Sequence, residues 1–93
     1  MNDLGDGWLV KWNGPDIFTL VRGDHEYSLD APMTGRRLWK TVHTVRLYEM
    51  TDHWDRPHER ERLTQADKRL IVGKARRVRG GWFRDLVFVG EGA

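Results

Sequence analysis

The 93-residue chain contains no cysteine. That removes disulfide frameworks, thiolate zinc sites and cysteine nucleophiles together. Serine occurs once, at Ser28, and there is no Gly-x-Ser-x-Gly elbow, which argues against serine-hydrolase chemistry. No apolar run approaches the roughly 20 residues a membrane span needs. The opening Met1-Asn2-Asp3-Leu4-Gly5-Asp6 is acidic and lacks the apolar stretch of a secretory leader. Repeats, low-complexity tracts and linkers are also missing. The expectation is one soluble, cytoplasmic domain over residues 1–93, with no membrane partner.

What is present suffices for a fold. Leu, Ile, Val and Phe make up 22 of the 93 residues and five Trp join them, which clears the rough 20% below which disorder is expected. A chain of this size buries roughly 60–65% of its unfolded surface, enough for one thin core. The formal charge of +2 hides an asymmetry. Residues 1–35 hold two basic residues, Lys11 and Arg22, against six acidic ones; residues 36–93 hold fourteen basic against eight acidic. Opposed charge between halves points toward a charged partner.

The first third reads as a meander. Trp8-Leu9-Val10-Lys11-Trp12 is aromatic and β-branched, and Asn13-Gly14-Pro15-Asp16 breaks it. Ile17–Val21 and His25–Leu29 flank Gly23-Asp24, a two-residue hairpin signal. That turn predicts Leu20 opposite Tyr27 and Phe18 opposite Leu29, with Val21 against Glu26 and Thr19 against Ser28 behind them. An even-length first loop puts Leu9 on the Phe18 face. Trp8, Val10 and Trp12 then share the other face, as core beneath further strands or as a stripe for a partner. Pro32–Gly35 reads as a break, and 39–50 as a strand because Thr41, Val42, Thr44 and Val45 are β-branched. Residues 52–62 read as an ordered loop with Trp54 and Pro57 packed beneath it. Thr64 with Asp67 forms a capping-box variant. It opens a helix over 64–79 with an apolar stripe of Leu70, Ile71, Ala75 and Val78 and a stop at Gly80-Gly81. Trp82–Val89 closes the chain as a strand placed inside the sheet. The expected architecture is α+β: about five antiparallel strands, meander first, with one helix from the C-terminal half packed on a face.

Several constellations invite chemistry. His53 and His58 stand among carboxylates, but five apart in a proline-containing loop, unlike two histidines four apart on a helix. No metal or other cofactor is expected there, and no catalytic residue is assigned, since no nucleophile accompanies His58. The cations Lys68, Arg69, Lys74, Arg76, Arg77 and Arg79 crowd the helix beside Trp82 and Phe83, a candidate nucleic-acid contact set. The acidic Asp16, Asp24, Glu26 and Asp30, with Trp8 and Trp12, form a candidate protein-binding set. An edge at Trp8–Trp12 also suits strand addition.

The run from Tyr48 to His58, followed by Leu63-Thr64 and a helix bearing Arg69-Leu70-Ile71, resembles immunity protein family seventy-four of bacterial polymorphic toxin systems. The matching positions are Trp54, Pro57, His58, Thr64 and Ile71, within a resemblance covering about residues 17–89. The hairpin Gly23–Glu26 is less basic than the family pattern, and the N-terminal strand and the Gly35–Trp39 passage are additions. The resemblance implies a non-enzymatic inhibitor that binds a cognate toxin and blocks its active site. Against a nuclease toxin, the acidic set would be the complementary surface.

Overall fold

The computed structural model describes residues 2–90. Short turns shape the first third of the chain. Gly5, Asp6 and Gly7, all at positive φ, turn β1 (Asn2–Gly5) into β2 (Trp8–Trp12). A longer loop leads to β3 (Ile17–Arg22), and Gly23-Asp24 joins that strand to β4 (His25–Asp30). Gly23 adopts φ +62°, the region the tight hairpin turn requires and glycine enters without a Cβ clash. The four strands form one antiparallel sheet in chain order. The β3–β4 register is the expected one: Phe18 faces Leu29, Thr19 faces Ser28, Leu20 faces Tyr27 and Val21 faces Glu26.

The β2 register corrects the expectation. Trp12 pairs with Phe18 and Val10 with Leu20, so the intervening residues 13–17 are odd in number. Asn13 N–H donates to the Ile17 carbonyl at 2.9 Å and closes that loop. A one-residue difference exchanges the two faces of a strand. Trp8 and Val10, each 2% exposed, therefore join Phe18, Leu20, Tyr27 and Leu29 in the core, and Leu9 turns outward with Val21. β2 is also interior to the sheet, between β1 and β3, so the strand-addition edge expected at Trp8–Trp12 does not exist.

Three later strands build a second sheet. β5 (Met33–Arg37) occupies the expected break and pairs with β6 (Lys40–Arg46). A 3-10 turn at Leu47–Glu49 and the 50–64 loop follow. α1 (Gln65–Ala75) leads on to β7 (Arg84–Val89), which lies parallel to β6. The single antiparallel sheet of about five strands is thus corrected to an α+β fold of two sheets, four antiparallel strands and three mixed. A crossover long enough to contain a helix permits parallel pairing, which a tight turn does not. β7 is an edge strand, not an interior one. Leu86 and Phe88 pack against the core, while Val87 and Val89 face outward, nearly half exposed.

Thr64 caps α1 as expected: its hydroxyl accepts from Asp67 N–H at 3.0 Å, and Asp67 Oδ2 accepts from Thr64 N–H at 3.1 Å. Removing such a cap costs about 1 kcal/mol. The helix ends at Ala75, short of Gly80; Val78 stays buried through turn hydrogen bonds of Arg77 and Val78 to Lys74 and Ala75. Ile71, Ala75 and Val78 fill the core, but Leu70 lies outside the buried stripe and is nearly half exposed. Trp54 is buried and stacks on Trp8, whereas Pro57, expected under the loop, is exposed. Asp55 fastens this loop along β4: its N–H donates to the Glu26 carbonyl at 2.9 Å, and its Oδ2 accepts from the Ser28 hydroxyl at 2.6 Å. The edge of the first sheet is covered in this way.

Candidate functional site

The sequence candidates separate once placed in the fold. In the basic helix, Lys74 is buried, with Nζ 2.8 Å from Asp6 Oδ2 and 3.4 Å from the Leu4 carbonyl. Arg77 donates to the same carbonyl at 3.0 Å, and Lys68 pairs with Asp52. Arg79 donates to the carbonyls of Arg76 and Val78 at 3.4 Å, and Arg76 reaches the Gly90 carbonyl at 3.5 Å. Arg69 is exposed. Lys68, Lys74 and Arg77 thus hold the 52–62 loop and β1, and Arg76, Arg77 and Arg79 lie past the end of α1. Lys74 in turn holds the Asp6 carboxyl below its ordinary range, through a hydrogen bond first and its charge second.

The acidic set does not form one surface either. Asp16 and Asp30 lie at one end of the β3–β4 hairpin and Asp24 at the other, roughly 17 Å away along six residues of strand. Glu26 pairs with Lys11 at 3.3 Å. Trp8 is buried, and Trp12 packs partly buried against Phe18 at 5.3 Å between ring centres, with the Arg84 guanidinium 4.1 Å over its ring. Neither tryptophan offers a docking stripe.

Two other places gather chemistry. The first is the tip of the second sheet, where the β5–β6 turn meets the segment entering β7. Leu38 is 83% exposed, Trp39 59%, Trp82 76% and Phe83 70%. Trp39 Nε1 donates to the Trp82 carbonyl at 3.2 Å, and Thr41 N–H donates to the Phe83 carbonyl at 2.7 Å, so the two segments are tied together. Leu38 stands at φ +57°, a left-handed conformation that costs a bulky residue about 1–2 kcal/mol. At Gly80 a Cβ would lie 2.4 Å from Arg84 Cβ, so only glycine lets this segment approach β7. Beside the tip runs a groove of about 420 Å³ whose lining includes Met33, Arg36, Trp39, His43, Phe83 and Arg84. His43 is structural there: Nδ1 is 2.7 Å from the Ala31 carbonyl and Nε2 2.8 Å from Thr41 Oγ1. Sequence reasoning paired Trp82 and Phe83 with the helix and left out Leu38 and Trp39. The signal was present in two apolar residues directly after Arg36-Arg37 in a turn between strands.

The second place is a histidine–carboxylate cluster where Asp24 and His25 meet the 52–62 loop. His25 and His58 stack with ring centres 3.9 Å apart, flanked by Asp24 and Glu61. The hydrogen bond to Glu61 foremost, then that to Asp24, raises the His25 pKa against the effect of desolvation. The same contact with His25 lowers Glu61, and the His25 hydrogen bond lowers Asp24. Of the two histidines read as a pair from the sequence, only His58 belongs here; His53 Nδ1 lies 3.1 Å from the Trp54 carbonyl instead. His25 was missed because its partners are 33 and 36 residues away in the chain.

No family model, curated protein or solved structure matches the chain.

Proposed function

We propose that the chain is a non-enzymatic binding protein that docks on one protein partner through the Leu38–Trp39 and Trp82–Phe83 tip. The observation that carries this reading is four large apolar residues exposed in two segments tied to each other; among the described aromatic residues elsewhere, only Tyr48 is comparably exposed. A further support is the strained Leu38, since backbone strain gathers at functional positions. The composition suits a protein partner. Aromatics, Met and Arg are enriched in interface centres, and truncating one such anchor costs 2 kcal/mol or more. Arg36 and Arg37 border the tip and favour an acidic rim on the partner. A nucleic-acid strand is a poorer fit. Two exposed arginines, with Lys40 already paired to Asp85, give a short electrostatic track.

A toxin occluded by a stoichiometric inhibitor is the partner class that the family resemblance suggests. The test uses the product of the reading frame adjacent to this gene, titrated with the full chain in a calorimeter. A 1:1 complex that Phe83→Ser weakens about 30-fold or more supports the reading. No complex, or one indifferent to Phe83→Ser, overturns it. Binding of single-stranded oligonucleotide at low salt, with steep loss as salt rises, would favour the nucleic-acid alternative instead.

A further inference from the structure

The histidine–carboxylate cluster is separate from the tip, at the opposite end of the β3–β4 hairpin. All four ring nitrogens in it face a carboxylate oxygen. His25 Nδ1 is 2.9 Å from Asp24 Oδ1, and His25 Nε2 is 3.0 Å from Glu61 Oε2. His58 Nδ1 is 2.6 Å from Glu61 Oε2, and His58 Nε2 is 3.6 Å from Asp24 Oδ2. A carboxylate only accepts, while a neutral imidazole has one N–H and one lone pair. When both rings are neutral, they satisfy two of the four contacts. The short pair at Glu61 takes both N–H groups. Both lone pairs, His25 Nδ1 and His58 Nε2, then point toward the Asp24 carboxylate, in a cluster of net charge −2. A divalent cation at that edge answers the lone pairs and the charge at once.

We propose that Asp24, His25 and His58 bind a divalent transition-metal ion of the zinc class, with Glu61 orienting both imidazoles from behind. Two imidazoles and a carboxylate are a ligand set suited to zinc, with a fourth position left to water. The donor atoms of these three residues lie within 4.8 Å of one another. Donors about 2.0–2.1 Å from a tetrahedral ion stand roughly 3.4 Å apart, so the site closes by a modest movement. The rings, now 14° from parallel, tilt apart as it does so, because each lone pair lies in its ring plane. Glu61 fixes the tautomers, as a carboxylate behind a ligating histidine does in metal sites. The support beneath is already built. The Trp54 and His25 rings meet edge to face with centres 5.1 Å apart, and Asp55 ties the loop to β4 without help from the histidines. The ion would clip the 52–62 loop to the first sheet.

The test is titration of the chelator-treated full chain with zinc chloride alone at pH 7.5, by calorimetry and thermal unfolding. One ion per chain is expected, and zinc at about ten times Kd raises Tm by roughly 5–10 °C. Asp24→Asn, whose side chain is 80% exposed and spares the fold, and His58→Gln each weaken binding at least tenfold. Glu61→Gln weakens it about 10- to 100-fold. His53→Gln leaves it unchanged. No binding by the parent chain overturns the proposal, as does an affinity that Asp24→Asn leaves intact.

Discussion

The two sheets treat their apolar side chains differently. In the four-stranded sheet, Trp8, Val10, Phe18, Leu20, Tyr27 and Leu29 all point to one face and are buried under α1, Trp54 and Val45. Its other face carries Leu9 and Val21 beside a linked polar row: Asn13 bonds Thr19, Thr19 bonds Ser28, and Ser28 bonds Asp55. The three-stranded sheet sends His43, Val45, Leu86 and Phe88 inward but leaves its tip apolar and open. Burial of a large side chain stabilises by about 1.5–3 kcal/mol. Residues that forgo this gain, one of them in a costly backbone conformation, add little to the core. The first sheet supplies one wall of the core, and the tip of the second stands outside it.

The cations teach the same lesson in another currency. The 64–79 segment carries six of the sixteen, yet Lys74, Arg77 and Lys68 are occupied within the fold. Arg22 likewise pairs with Asp67 at 3.5 Å and lies 5.0 Å over both Trp8 and Trp54. Asp6 with Lys74 and, in the reverse sense, Arg22 with Asp67 pair charges between the first third and the remainder. Charge asymmetry along a sequence does not by itself describe an exposed patch.

The contrast between sheets is broken most severely by two phenylalanines. Phe18→Ala, at a fully buried position, is expected to cost about 3–5 kcal/mol in urea unfolding. Phe83→Ala at the tip should change stability by less than about 0.5 kcal/mol; a loss above 2 would place Phe83 in the core. Next in size is Lys74→Ala. It strips the Leu4 carbonyl and Asp6 of their ammonium partner and should cost about 1.5–3 kcal/mol, with faster amide exchange over β1 as its signature. Leu38→Asn has the opposite sign. Asn tolerates the left-handed conformation, so the variant should gain about 0.5–1 kcal/mol while binding the partner more weakly. Equal stability and equal binding would remove the argument from strain.

The smallest effect is an acid one. Burial opposes ionisation of Asp67, but the Thr64 N–H and hydroxyl and the Arg22 charge hold its pKa below the ordinary value. Asp6 and Asp52 are lowered by Lys74 and Lys68. A depressed carboxyl stabilises the fold above its unfolded pKa, and that contribution is lost as pH falls. The raised His25 adds stability as pH falls to about 6.5; below that, stability should hold to about pH 5 and decline below about pH 4. Thr64→Ala should make the decline shallower. An unchanged slope would detach Asp67 from it.

Legibility in the sequence followed the length of the connections. Gly23-Asp24 fixes its two flanking strands, so the β3–β4 register could be written down in advance. Thr64 and Asp67 mark the helix start because the cap is local. The β2 faces could not be assigned, since the odd span of 13–17 is set by the Asn13–Ile17 hydrogen bond and not by composition. β5 was hidden by Pro32 and Gly35, which read as a break but sit at the entry and at a register shift of the strand. The parallel β6–β7 pair was hidden by an assumption of continued meander. Least visible was everything that depends on distant pairs: Lys74 with Asp6, His25 with His58, and Trp39 with Trp82.

Hydrogen exchange measured by mass spectrometry, on the free chain and on its complex with the adjacent-frame product, tests the central claim most directly. Docking at the tip predicts slowed exchange confined to residues 36–41 and 80–85, with the 64–79 segment and the 16–30 hairpin unchanged. Protection of the helix or of the hairpin, with the tip exchanging freely, would contradict it.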